Sequence, residues 1–216
     1  MEQLLTANVA SSMYWLGRYL ERVELTLREI GKTYDCIIDV DKSAGTALYK
    51  KFNIDLEYTN AVDFLDKAIQ GNHTGNLANL MVQARENAII SRTNIDASAF
   101  GEIIELHDFL QSLSKNYHPI DFNDIDNALS LISEIWGTHG KKGHRKYSDY
   151  FLKLGRLVEE LDFQLRFNQK SDVLKTIIKD INAMIKVLNP EMRLVVDDEE
   201  NMMETIYKTI DKLIVN

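Results

Sequence analysis

Seven apolar residues near the N-terminus, Val9, Met13, Leu16, Leu20, Val23, Leu27 and Ile30, are separated alternately by four and by three positions. At 3.6 residues per turn this spacing keeps all of them on one stripe, the seam of a helix laid lengthwise along a neighbour. It predicts a helix over about 8–31, ending near Gly31, since glycine favours a helix stop. The same register returns 138 positions later: Gly17-Arg18-Tyr19-Leu20-Glu21-Arg22-Val23-Glu24 aligns with Gly155-Arg156-Leu157-Val158-Glu159-Glu160-Leu161-Asp162. Met13, Leu16, Leu20, Val23 and Leu27 map onto Phe151, Leu154, Val158, Leu161 and Leu165, so a second helix over about 146–167 is expected to bury the same face. Duplication of a half-bundle would place the two copies about an approximate two-fold axis.

The rest of the chain suits helices as well. With 2 prolines and 10 glycines in 216 residues, it has little material for the tight turns of an all-β fold. Further helices are predicted over about 61–69, 77–95, 98–114, 124–136, 172–188 and 199–215, several with capping signals: Ser171-Asp172 precedes one, and Asp197-Asp198-Glu199-Glu200 precedes the last. Residues 41–59 are expected to be an ordered connection, although Phe52 to Tyr58 alternates apolar and polar like a strand. No Pro/Ser-rich linker divides the chain, and Pro119 and Pro190 fall between helices. The expectation is therefore all-α: a single multi-helix bundle over 1–216 with an internal pseudo-two-fold repeat of a long helix.

Charge and motifs exclude several classes of function. A net charge of −8 disfavours binding to a phosphate backbone, and Lys141, Lys142, His144, Arg145 and Lys146 sit among glycines like a solvated loop. No stretch approaches the ~20 apolar residues of a membrane span. The lone Cys36 cannot form an internal disulfide, and Met1-Glu2-Gln3 does not open a secretory signal, so a cytoplasmic protein is expected. Catalytic and metal signals are poor. There is no phosphate loop and no nucleophile elbow, none of the five histidines follows a glutamate by three positions, and Asp39, Asp41 and Ser43 start a calcium-like loop that Ala44 and Lys50 do not complete. No catalytic residue, metal site or cofactor is assigned.

What remains is the polar side of the repeated helix. Arg18, Glu21, Arg22, Leu25 and Arg28 share a face, with Tyr14 and Trp15 one turn earlier; Arg156, Glu159, Phe163 and Arg166 repeat it, but Glu160 stands where the first copy has Arg22. A helix with an apolar seam and a charged aromatic side is covered on both, so its charges need partners. One source is the helix carrying Ala84-Arg85-Glu86-Asn87-Ala88 and Arg92, whose Arg85 and Arg92 share a face and could meet Glu21 and Glu159. The candidate cluster is Arg18, Glu21, Arg22, Arg85, Glu86, Asn87, Arg92, Arg156 and Glu159. It reads either as an ion-pair clamp or as a site holding a carboxylate or phosphate by forked hydrogen bonds.

At these residues the chain resembles the bacterial alpha-E family. The resemblance rests on Tyr14 to Glu24 with Arg28, on Ala84 to Ala88 with Arg92, and on Phe151 to Arg156 with Glu159 and Asp162. Ser11, Ser12, Ile89, Thr93, Phe100 and Glu160 depart from its usual residues. The resemblance implies an all-helical domain without an established activity, encoded beside or fused to a circularly permuted ATP-grasp protein and a transglutaminase-like cysteine peptidase. Two functions follow as expectations. One is a non-enzymatic binding or scaffolding module that docks to such a partner and presents a peptide or an anionic small molecule by its charged end. The other is an enzyme using Glu21 or Glu159 as acid/base in amide-bond chemistry. Met202, Met203 and Tyr207 on the last predicted helix suit core packing or a homodimer contact.

Overall fold

The computed structural model describes residues 5–113, 119–140, 146–196 and 201–215. The basic cluster at 141–145 and the acidic run at 197–200 lie outside them. Among the described residues there are helices and no strands. The helices are α1 (Ala7–Asp39), α2 (Ala44–Lys50), α3 (Ala61–Gln70), α4 (Leu77–Ile90), α5 (Ala97–Leu113), α6 (Phe122–Gly140), α7 (Tyr147–Arg166), α8 (Ser171–Leu188) and α9 (Met202–Val215).

α1 is the axis of the bundle. It starts at Thr6, whose hydroxyl accepts from the Val9 N–H, and runs without interruption to Asp39. The stop expected at Gly31 does not occur. There the helix passes beneath the Phe122 ring and Ile125 of α6, and Ile37 further on is buried. Tertiary packing along this stretch outweighs the ~1 kcal/mol that an interior glycine costs. Met13, Leu16, Leu20, Val23, Leu27 and Ile30 are fully buried, and so are Leu154, Val158 and Leu161 of α7. α1 packs chiefly along α7 and α4, α5 pairs with α6, and α8 lies on α7. One hydrophobic cluster joins these layers from Ala10 on α1 to Leu213 on α9.

Three local expectations are corrected. The connection at 41–59 contains the short helix α2, and Phe52 to Tyr58 forms no strand. Its alternation has a different cause: Phe52 packs on Phe163 and Phe167, Leu56 is buried, and Tyr58 stacks on Phe64 while its hydroxyl accepts from the Gly45 N–H. α4 ends at Ile90, five residues early, because Ser91 to Asn94 turns toward α5. Ser171 is the first residue of α8 rather than its cap, and no side chain caps that end. On α9, Met202 is buried, and Met203 and Tyr207 pack partly buried against the core. No helix among the described residues is long and apolar enough to cross a membrane.

Candidate functional site

The centre of the bundle is the crossing of α1 and α7, and two glycines set its separation. A Cβ on Gly17 would overlap the Leu152 carbonyl oxygen, and one on Gly155 would overlap the Tyr14 carbonyl oxygen. The contacts are reciprocal, since Leu152 lies 138 positions after Tyr14 as Gly155 does after Gly17. Any side chain at either position would push the backbones apart, so glycine here is a condition for close approach.

Close approach brings the charged faces together. Arg18 Nε donates to Glu159 Oε2 at 2.7 Å, and its Nη2 lies 2.6 Å from the same oxygen. Arg22 grips Glu159 in a fork, with Nη2 donating to Oε2 at 2.9 Å and Nε to Oε1. In the opposite sense, Arg156 Nε lies 2.7 Å from Glu21 Oε2. A second tier surrounds this core. Arg18 Nη2 lies 3.7 Å from Asp162 and Arg156 Nη2 lies 3.7 Å from Glu24, while Arg28 pairs with Glu24 and Arg166 with Asp162 along their own helices. Apart from the Arg22–Glu159 fork, each of these contacts has its counterpart at an offset of 138 positions.

The correspondence fails at one place. Arg22 has Glu160 as its counterpart, so Glu159 binds two guanidinium groups and Glu21 has only Arg156, which is 38% exposed. The Arg156 N–H is out of hydrogen-bond alignment, and Glu21 Oε2 is buried without a hydrogen-bond donor. Burial pushes the Glu21 carboxyl up to about 7; Arg156 opposes the shift, and Glu24 and Glu160 add to it. Arg18 shows the opposite balance. Its burial works against the charge, but Glu159 together with Tyr14 and Tyr207 outweighs this and holds the guanidinium above its ordinary value.

Aromatic rings close the clamp on both sides. Arg18 lies 5.2 Å from the Tyr207 ring centre and 5.5 Å from that of Trp15. Arg156 lies 4.4 Å from the Trp136 ring centre, and the Trp136 indole N–H donates to Glu24 Oε2 at 2.8 Å. These distances suit cation–π attraction. Tyr14 Oη, buried beside Arg18, meets no partner in hydrogen-bond geometry, and burial pushes its hydroxyl up to about 12 although Arg18 opposes the shift.

A cleft opens on each side of the crossing. The first, of about 390 Å³, lies over Tyr14, Trp15, Arg18, Arg22, Arg166 and Tyr207. The second, of about 320 Å³, lies over Trp136, Asp149, Leu152, Lys153, Arg156 and Glu160. Leu152, Lys153, Arg156 and Glu160 are the counterparts of Tyr14, Trp15, Arg18 and Arg22. A smaller hollow of about 170 Å³ lies behind the first and shares Arg22, Asp162 and Arg166 with it.

Of the candidates expected from sequence, Arg18, Glu21, Arg22, Arg156 and Glu159 meet in this clamp. Arg85, Glu86, Asn87 and Arg92 do not. Arg85 pairs with its neighbour Glu86 at 2.7 Å, Asn87 donates to the Gln83 carbonyl, and Arg92 stacks 4.2 Å from the Phe100 ring centre. α4 presents Leu77, Met81, Ala84 and Ala88 to the core, and that choice of face turns its charges outward. The partners expected from α4 are supplied by α7 for the charges of α1, and by α1 for those of α7, instead. Arg28 and Arg166, which lay on the aligned polar faces, belong to the site, and so do Glu24 and Asp162, whose alignment in the repeat did not place them on those faces. Trp136 and Tyr207 come from α6 and α9, where no local pattern distinguishes them from core aromatics. No group of three or more metal-ligating side chains occurs among the described residues.

An all-helical bundle centred on two crossed helices with a shared Glu/Arg clamp is the class of protein defined here. The chain belongs to the Alpha-E family, described as a predicted alpha-helical domain with a conserved ER motif, which it matches over residues 5–190. Glu21-Arg22, the chain's one Glu-Arg dipeptide, lies in the centre of the clamp. No curated protein and no solved structure shows significant similarity to the chain.

Proposed function

We propose that this chain is a non-enzymatic helical binding module in amide-bond or peptide metabolism. It docks to a circularly permuted ATP-grasp protein or a transglutaminase-like peptidase and presents the charged end of a peptide or anionic small molecule. The observation that carries this reading is the commitment of Glu159. It is 2% exposed and accepts three hydrogen bonds from two arginines, a geometry that fixes helix register and keeps the carboxylate behind guanidinium groups, away from a substrate's proton. The clefts beside the clamp are preformed and carry charged and aromatic side chains, as a binding surface requires.

The alternative is an enzyme working through Glu21, whose carboxyl near 7 suits proton transfer. That carboxylate is 3% exposed and lies behind Arg156, so a substrate atom would have to displace the arginine to reach it. Co-purification from the native cell, followed by an ATP-dependent ligation assay with and without this protein, tests both readings. The module reading expects a recovered partner whose product yield rises with the protein and survives Glu21→Gln. Recovery of no partner and no change in product overturns it, while a yield abolished by Glu21→Gln in a folded variant supports the enzyme.

A further inference from the structure

The two clefts differ in charge although four wall residues of one, Tyr14, Trp15, Arg18 and Arg22, have counterparts in the other. On the first side, Arg18, Arg22 and Arg166 share the carboxylates of Glu159 and Asp162, an excess of one positive charge. On the second, Arg28 and Arg156 stand against Glu21 and Glu24, with Glu160 close enough to act on both Arg156 and Glu21, an excess of one negative charge. The difference is the exchange of Arg22 for Glu160. With the rim included, Asp211 on α9 brings the first cleft to zero, while Asp149 and Lys153 cancel in the second, so the first remains the more positive by one charge.

The first cleft also holds a buried group without a partner. Tyr14 Oη has Arg18 beside it but no acceptor for its proton, on a residue 3% exposed that lines the cleft. Leaving a buried donor without an acceptor is costly, a penalty that a ligand oxygen accepting from it would relieve. Arg22 and Arg166, both about one-third exposed, present guanidinium edges to the same space. Trp15 and Tyr207 wall it with rings, and Ile210 adds an aliphatic surface.

We propose that the cleft over Tyr14, Trp15, Arg22, Arg166 and Tyr207 is a binding site for a carboxylate-bearing ligand, and that the cleft at Trp136, with Leu152 and Glu160 in place of Tyr14 and Arg22, is not. The ligand's carboxylate meets the guanidinium N–H groups of Arg22 and Arg166 that Glu159 and Asp162 do not engage and accepts from Tyr14 Oη, while its apolar stem lies along the Trp15 and Tyr207 rings. A peptide C-terminus or an acidic side chain has this chemistry. The inference rests on the binding-module reading and names the end that the module holds.

The chain's two tryptophans provide the test, because Trp15 lies in the first cleft and Trp136 in the second. Their indole N–H signals can be followed by NMR in the intact protein during titration with succinate, with inorganic phosphate and butylammonium chloride as controls at equal ionic strength. The expected result is a saturable shift at Trp15 with succinate, little at Trp136, and weaker or no response to the controls. Tyr14→Phe, which removes only the unpartnered hydroxyl, should weaken succinate about threefold or more while leaving the fold intact. Glu160→Arg should make Trp136 respond as well. Equal shifts at both indoles, no saturation, or tighter binding of phosphate or butylammonium overturns the assignment, as does full affinity in Tyr14→Phe. A saturable Trp15 response with no partner recovered from cells would fail the docking reading and keep the site. Partner recovery without that response would do the reverse.

Discussion

Glu21 and Glu159 occupy the same register of two packed helices, yet Glu159 holds two guanidinium groups and Glu21 is left with one, out of hydrogen-bond alignment. The inequality follows from a single pair of counterparts, Arg22 and Glu160, and it makes the consequences of substitution unequal too.

Glu159→Gln leaves Arg18, 4% exposed, without its neutralising carboxylate, and only Asp162 at 3.7 Å remains. Breaking a buried pair on one side costs about 3–5 kcal/mol. Glu21→Gln removes a carboxylate already short of donors and should cost less than about 1 kcal/mol at pH 7. Urea unfolding of the two variants side by side checks the contrast, and equal losses would refute it.

The Glu21 carboxyl also gives stability a pH dependence. Its folded-state value, about 7, is raised above the ordinary 4.5, so the folded state holds the proton more tightly than the unfolded chain. The resulting stabilisation is fully present below about pH 4.5 and is lost as pH rises through 7. The groups that face it are Arg156, Glu24 and Glu160. Between pH 4.5 and 8, Glu21→Gln should gain on the natural protein by roughly 3 kcal/mol, measured by denaturant midpoints at several pH values.

Glu160→Arg restores the counterpart of Arg22 and supplies Glu21 with a second guanidinium. It should raise stability at pH 8 by about 1–3 kcal/mol and flatten the pH dependence just described. A variant that is no more stable, with the pH slope unchanged, would show that the missing arginine is not what leaves Glu21 unbalanced.

Gly155→Ala should be among the most damaging small substitutions in the chain. The new methyl group meets the Tyr14 carbonyl, a backbone atom that moves only if α1 and α7 separate. A loss of about 3 kcal/mol or more is expected in thermal or urea melts, with Gly17→Ala behaving alike. Gly101→Ala, where nothing lies nearby, serves as the control and should be neutral or slightly stabilising.

Arg85→Ala and Arg92→Ala should change stability by no more than about 0.5–1 kcal/mol and leave the Trp15 response to succinate intact, because both arginines lie outside the clamp. A strong effect of either on ligand binding would return α4 to the site.

The sequence by itself determined the all-helical class, most of the helices and the two faces of α1. The three-and-four spacing from Val9 to Ile30 is a statement about burial, and α1 buries Met13 through Ile30 accordingly. The offset of 138 positions identified Arg18, Glu21, Arg22, Arg156 and Glu159 together, because charges on a doubly covered helix need partners nearby. Local pattern could not say which partners. Arg85 and Arg92 have the right spacing, but spacing fixes only a shared face, and the rotation of α4 was decided by the burial of Met81, Ala84 and Ala88. The run of α1 past Gly31, the rings of Trp136 and Tyr207 against the two arginines, and the stranded oxygens of Tyr14 and Glu21 depend on which elements meet far apart in the chain. The tertiary structure decided those, since close packing of α1 on α7 through Gly17 and Gly155 sets where each charge lies and which ones remain unmatched.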